Sequence, residues 1–154
     1  DVNNLEPFDR AAEVAFLKRY KENYAAEIAR IGSGAKEAAH LREAYETAAE
    51  AMQSAIDAKA DNNELNAAAV GVIDNYAAFL AGLRLTDALD SARALLDSPI
   101  GAEKGQYTAS SIGTLKRAIN QAQTSLKKEE MYEELDDAQD RLEIAVRTFK
   151  ASRK

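Results

Sequence analysis

Residues 45–79 read YETAAEAMQSAIDAKADNNELNAAAVGVIDNYAAF, and residues 115–149 read LKRAINQAQTSLKKEEMYEELDDAQDRLEIAVRTF. Few letters agree, but the apolar positions do. A shift of 70 sets Tyr45, Ala48, Met52 and Ile56 on Leu115, Ala118, Ala122 and Leu126. The same shift of 70 sets Leu65, Ala68, Val72, Tyr76 and Phe79 on Leu135, Ala138, Leu142, Val146 and Phe149 without a gap. Spacings of three and four are those of a helix with one buried face, and any two such helices align at some register. One register held through an intervening loop is the stronger sign of a duplicated segment.

Working outward, the stretch Pro7 to Ile31 carries Leu17, Tyr20, Tyr24, Ile28 and Ile31 on one stripe. Pro7 suits a first helical turn, and Gly32-Ser33-Gly34 suits a stop. At an offset of 68, Leu17, Tyr24 and Ile28 fall on Leu85, Ala92 and Leu96, which defines a matching helix in the second half. Ser98-Pro99 ends it, because proline disfavours helix in the residue before it. The spacing thus predicts six helical stretches, at about 7–31, 35–60, 63–80, 83–96, 112–128 and 129–152. Ile73 is expected to face inward with Val72 and Tyr76. Asp61-Asn62-Asn63 separates the second and third, since these side chains compete for backbone hydrogen bonds and cap helices.

The expected fold is all-α: two tandem three-helix bundles, residues 1–81 and 82–154, packed antiparallel through short connections. Ala81-Gly82-Leu83 holds no proline, and one interior glycine costs only about 1 kcal/mol relative to alanine. A single central helix from about Asn63 to Leu96 is therefore expected, giving an elongated molecule. A kink at Gly82 is the competing arrangement.

Composition agrees and excludes. Alanine supplies 32 of 154 residues, Pro only 2 and Gly 7, a mixture that favours helix over strand. The net charge of −6 lies in the first 81 residues, which hold 14 acids against 8 bases, while residues 82–154 hold 12 of each. An acidic chain with no basic stripe repels phosphate, so nucleic acid and anionic membrane are poor partners. No apolar run reaches the roughly 18 residues of a membrane span, and membrane insertion is not expected. The absence of cysteine removes disulfides, thiolate zinc sites and thiol catalysis. The chain opens on Asp1 rather than Met, as a mature or excised piece of something longer does.

Chemistry-bearing residues are sparse. His40, with Glu37 and Glu43 three residues on either side, shares a helix face that could hold a metal. Zinc wants three or four well-held ligands, and a solvated surface histidine is the expectation. The acids Glu129, Glu130, Glu133, Glu134, Asp136 and Asp137 lack calcium-loop spacing and an apolar setting that would raise a carboxylate toward neutral pH, so they read as a solvated helix start. There is no phosphate-binding loop, no nucleophile elbow and no serine with a histidine to activate it. No enzyme, cofactor or metal is expected.

The loop before the fifth helix holds Gly101 and then Gly105-Gln106-Tyr107. Tyr107 admits two roles: a lid that folds over the bundle end and closes the core, or a platform that stacks on a sugar ring or a partner side chain. The lid is the favoured role, because aromatics make up only 6% of the chain and tryptophan is absent. Gly101, Gly105, Gln106 and Tyr107 are the candidate binding residues.

Leu89, Ala92 and Leu95-Leu96, followed by Gly101, Gly105-Gln106-Tyr107, Leu115, Ala118-Ile119, Ala122, Leu126, Leu135, Ala138, Leu142, Ala145 and Phe149, resemble the FIVAR module (found in various architectures) of bacterial extracellular proteins. The resemblance covers residues 85–149 best. Residues 8–80 match less well, lacking the glycine loop and the Gly-Gln-Tyr tripeptide. Met131 also departs, standing where a capping Thr, Ser or Asp is expected, a place that Asp61 fills in the first copy. The resemblance implies a three-helix module of secreted multimodular proteins, set beside glycosidases, polysaccharide lyases and adhesins, where it spaces domains or binds glycans or host proteins. The expectation is a monomeric, non-catalytic helical spacer or protein-binding module outside the cell or on its surface. A glycan-binding module acting through the Gly101–Tyr107 loop is the alternative, and an intracellular adaptor that grooves a partner helix is a third reading.

Overall fold

The computed structural model describes residues 10–31 and 36–154. The expected helix start at Pro7 and stop at Gly32-Ser33-Gly34 lie outside the described residues. Among the described residues there are five α-helices: α1 (Arg10–Ile31), α2 (Ala39–Asp57), α3 (Asn62–Ala94), α4 (Ala109–Lys128) and α5 (Tyr132–Ala151). Short 3-10 turns at Lys36–Ala38 and Leu95–Asp97 precede α2 and follow α3. The third and fourth stretches expected from the spacing are one helix, and no break occurs at Gly82. There the Thr86 hydroxyl donates to the Gly82 carbonyl at 2.8 Å. The chain divides into two compact units, Asp1–Leu80 and Ala81–Lys154.

In the first unit the interior is aromatic. Tyr24 of α1 meets Tyr45 of α2 at 4.6 Å between ring centroids and Phe79 of α3 at 5.3 Å. Tyr20 of α1 and Tyr45 of α2 each approach Tyr76 of α3 at 5.3 Å. Leu17, Leu41, Met52, Leu65 and Val72 are buried in the same unit, as are Ala38, Ala49 and Ala78. Arg10 ties the start of α1 to the α2–α3 turn, donating to Asn62 Oδ1 at 2.8 Å and to the Ala60 carbonyl at 2.9 Å. α2 stops at Asp57, short of the expected Ala60, where Lys59 takes a left-handed φ of 54°. The Asp61 carboxylate then accepts from the Glu64 N–H at 2.9 Å and so caps α3.

In the second unit the interior is mostly aliphatic. Leu83, Leu85, Leu89 and Ala92 of α3, Ile112, Leu115, Ile119, Ala122 and Leu126 of α4, and Leu135, Ala138, Leu142 and Phe149 of α5 are buried. Arg84 of α3 pairs with Asp136 of α5 at 3.2 Å on the surface. The Thr108 hydroxyl caps α4, accepting from the Ser111 N–H at 3.1 Å. α5 starts at Tyr132 rather than at Glu129, because Met131 is extended and offers no side-chain cap.

The offset of 70 reappears in burial. Tyr45 and Leu115, Ala49 and Ile119, Met52 and Ala122, Leu65 and Leu135, Val72 and Leu142, and Phe79 and Phe149 are all buried. Two inward assignments need correction. Ile73 is 42% exposed, because it sits off the face defined by Leu65, Val72 and Tyr76. On α2 it is Ala49, not Ala48, that packs fully against the neighbours.

Candidate functional site

The loop Ser98–Thr108 closes one end of the second unit, and all four candidate residues take part. Its first half turns back so that Ile100 and Tyr107 pair as an isolated parallel bridge. The Tyr107 N–H donates to the Pro99 carbonyl at 2.9 Å, and the Gly101 N–H donates to the Tyr107 carbonyl at 2.9 Å. Within this turn the Gln106 amide oxygen accepts from the Glu103 N–H at 2.9 Å. The same oxygen lies 2.1 Å from where a Cβ on Gly101 would stand, so only glycine lets it in. Gly105 holds a φ of 88°, which a side chain would strain.

The C-terminal residues lock the loop from outside. The Gly105 N–H donates to the Lys154 carbonyl at 2.6 Å, and the Lys154 N–H donates to the Gln106 carbonyl at 2.9 Å. Sequence spacing held no signal of this pairing, because it joins backbone groups far apart in the chain. Tyr107 points inward. Its ring stacks on Phe149 at 4.1 Å and 9° and keeps only 8% of its surface. Of the two roles open to this residue, the geometry displays the lid.

The other candidates stand apart from this loop. His40 lies half-buried at the start of α2, and both it and Glu37 interact within the chain. Among the described residues no three histidine or acidic side chains gather in a way that could hold a metal ion. At the α4–α5 turn a hydrogen bond with Glu129, reinforced by its like charge, raises the Glu134 carboxyl above its ordinary value. That turn is solvated, and the shift belongs to a crowded surface rather than to a cleft. A groove of about 320 Å³ runs between α4 and α5, lined by Leu115, Ile144, Ala145 and Phe149 with Ser and Thr hydroxyls and Arg141 along its rim.

The most perturbed groups are tyrosines of the first unit. Burial pushes the Tyr45 phenol up to about 12, with Tyr76 and Tyr20 adding to it. Burial also raises Tyr24, aided by its hydrogen bond to the Glu46 carboxylate, and raises Tyr76. The Tyr45 hydroxyl is buried with no hydrogen-bond partner among the described residues. Burial favours the neutral form of each of these phenols.

No family model, no curated protein and no solved structure matches this chain.

Proposed function

We propose that the chain is two tandem three-helix bundles, and that it serves as a non-catalytic helical spacer that also docks protein, within a secreted or surface-attached bacterial protein. The shared burial at an offset of 70 supports the duplication. Ring contacts joining α1, α2 and the first part of α3 support a trio of helices in the first copy. The extracellular setting rests on the resemblance of residues 85–149 to the FIVAR module.

The observation that carries the spacer reading is the use made of the Gly101–Tyr107 loop. Each residue available for a ligand is engaged in closing the end of the second unit: Gln106 fills the space over Gly101, Gly105 bonds to Lys154, and Tyr107 covers Phe149. A sugar platform needs an aromatic face open to solvent, and that of Tyr107 is covered. The test is a glycan array with the intact chain and its Tyr107→Ala variant. The spacer reading expects no saturable sugar binding and a less stable variant. Sugar binding that Tyr107→Ala abolishes while the fold persists would establish the glycan-binding alternative instead.

A further inference from the structure

The groove along the α4–α5 seam differs in charge from the chain around it. Its volume is about 320 Å³, and its lining is Leu115, Ile144, Ala145 and Phe149 with Thr114 and Thr148 at the edge. Hollows of about 300 to 1,000 Å³ with an apolar lining and a few polar groups are the kind that small molecules occupy.

Arg141 supplies the polar end. Its side chain borders the groove and also the adjoining patch of Asn120, Gln121, Thr124 and Ser125 on α4. Among the described residues the side chains of Arg141, Asn120, Gln121 and Ser125 have no hydrogen bond or ion pair. All four can donate to an oxygen acceptor. The chain carries a net charge of −6, and α5 alone holds Glu133, Glu134, Asp136, Asp137, Asp140 and Glu143. None of these acids borders either hollow. A guanidinium with no carboxylate beside it is complementary to an anion. One cation balances the single charge of a carboxylate, but not the charge of nearly two on a phosphate monoester.

Length narrows the ligand further. From Arg141 to Phe149 is eight residues of α5, or about 12 Å at the helical rise of about 1.5 Å per residue. That is the reach of a medium-chain acyl group laid along the seam. A partner helix is about 10 Å across and needs a broader apolar face, whereas among the described residues this seam exposes one large apolar side chain, Ile144. The first copy lacks the arrangement. At the offset of 70, Gly71 stands for Arg141 and Asp74 for Ile144, while Asn75 stands for Ala145 and donates to the Gly71 carbonyl at 2.7 Å.

We propose that the α4–α5 groove binds a single-chain amphiphilic carboxylate, with its head on Arg141 and its acyl chain over Leu115, Ile144 and Phe149. This site does not depend on the spacer reading.

NMR titration of the intact, isotope-labelled protein with decanoate up to about 1 mM should shift the amides of Arg141, Ile144 and Ala145 saturably. Decanol, which lacks the charge, should bind at least about tenfold more weakly, and Arg141→Gln should weaken decanoate by a similar factor. Ile144→Glu puts a carboxylate into the groove and should abolish the shifts. Both positions are exposed, so circular dichroism should report an unchanged fold. No saturation, shifts spread over both units, or an affinity indifferent to the ligand's charge or to Arg141→Gln would each overturn the proposal. So would saturable binding of an acidic amphipathic helical peptide in place of decanoate, which would assign the groove to a partner protein.

Discussion

The ring of Tyr107 lies flat on that of Phe149, with centroids 4.1 Å apart and planes 9° from parallel. A loop residue thus completes the core that α3, α4 and α5 leave open at one end. The consequences for stability can be measured.

Tyr107→Ala removes a buried aromatic and leaves Phe149 uncovered, a loss of about 3 kcal/mol by analogy with other buried ring truncations. Tyr107→Phe keeps the stack and should stay within about 0.5 kcal/mol, as changes that remove no key contact do. Urea unfolding of the two variants separates the ring's packing from its hydroxyl.

Gly101→Ala collides with the Gln106 amide oxygen, which lies 2.1 Å from the new Cβ. The loop must then release the hydrogen bond that Gln106 accepts from Glu103. Gln106→Ala should relieve the collision, so the double variant should be more stable than the sum of the two single losses by about 1 kcal/mol. Additive losses would show that the amide does not occupy that space.

The starts of α3 and α5 differ. Asp61 caps α3 through the Glu64 N–H, whereas Met131 at the start of α5 is 58% exposed and caps nothing. Met131→Thr supplies the missing acceptor with Glu134 three residues on, a capping box, and should stabilise by about 1 kcal/mol. Asp61→Ala should destabilise by a similar amount, about 1 kcal/mol. Thermal unfolding of both tests the pair.

Tyr45 is 1% exposed, and its hydroxyl has no hydrogen-bond partner among the described residues. Leaving a buried polar group unpaired is unfavourable, so Tyr45→Phe should be neutral or stabilising by up to about 1 kcal/mol. The same burial makes stability depend on alkaline pH. A phenol that titrates at about 12 in the folded chain but at 10.0 when free favours folding fully below pH 10. That contribution disappears as pH rises from about 10 toward 12, and the raised phenols of Tyr24 and Tyr76 act in the same direction. Helicity followed during base titration should fall in that window, and Tyr45→Phe should shift the fall upward.

Helices were legible from sequence because burying one face forces a period of three and four, which Leu115, Ile119, Ala122 and Leu126 display openly. The passage of α3 through Gly82 was legible too, since a single glycine between well-packed flanks is a small cost. Ile73 was misplaced because alanine-rich neighbours blur the edge of the buried face, and an apolar side chain there looks inward whether or not it is. The Gly-Gln-Tyr tripeptide marked the right loop, but not what it does. The roles of Gly101 and Gln106 depend on a side chain folding back over its own turn, and that of Gly105 on Lys154, nearly fifty residues away. Neither relation leaves a periodic trace.

The central claim is that one helical trio was duplicated and that each copy has its own core. Site-resolved hydrogen exchange on the intact chain carrying Leu135→Ala tests it most directly, with Leu65→Ala, its counterpart in the first copy, as the mirror experiment. The account predicts that Leu135→Ala speeds exchange in α4 and α5 while α1 and α2 keep their protection, and that Leu65→Ala does the reverse. Equal loss of protection across all five helices from either substitution would mean one shared core, and would contradict it.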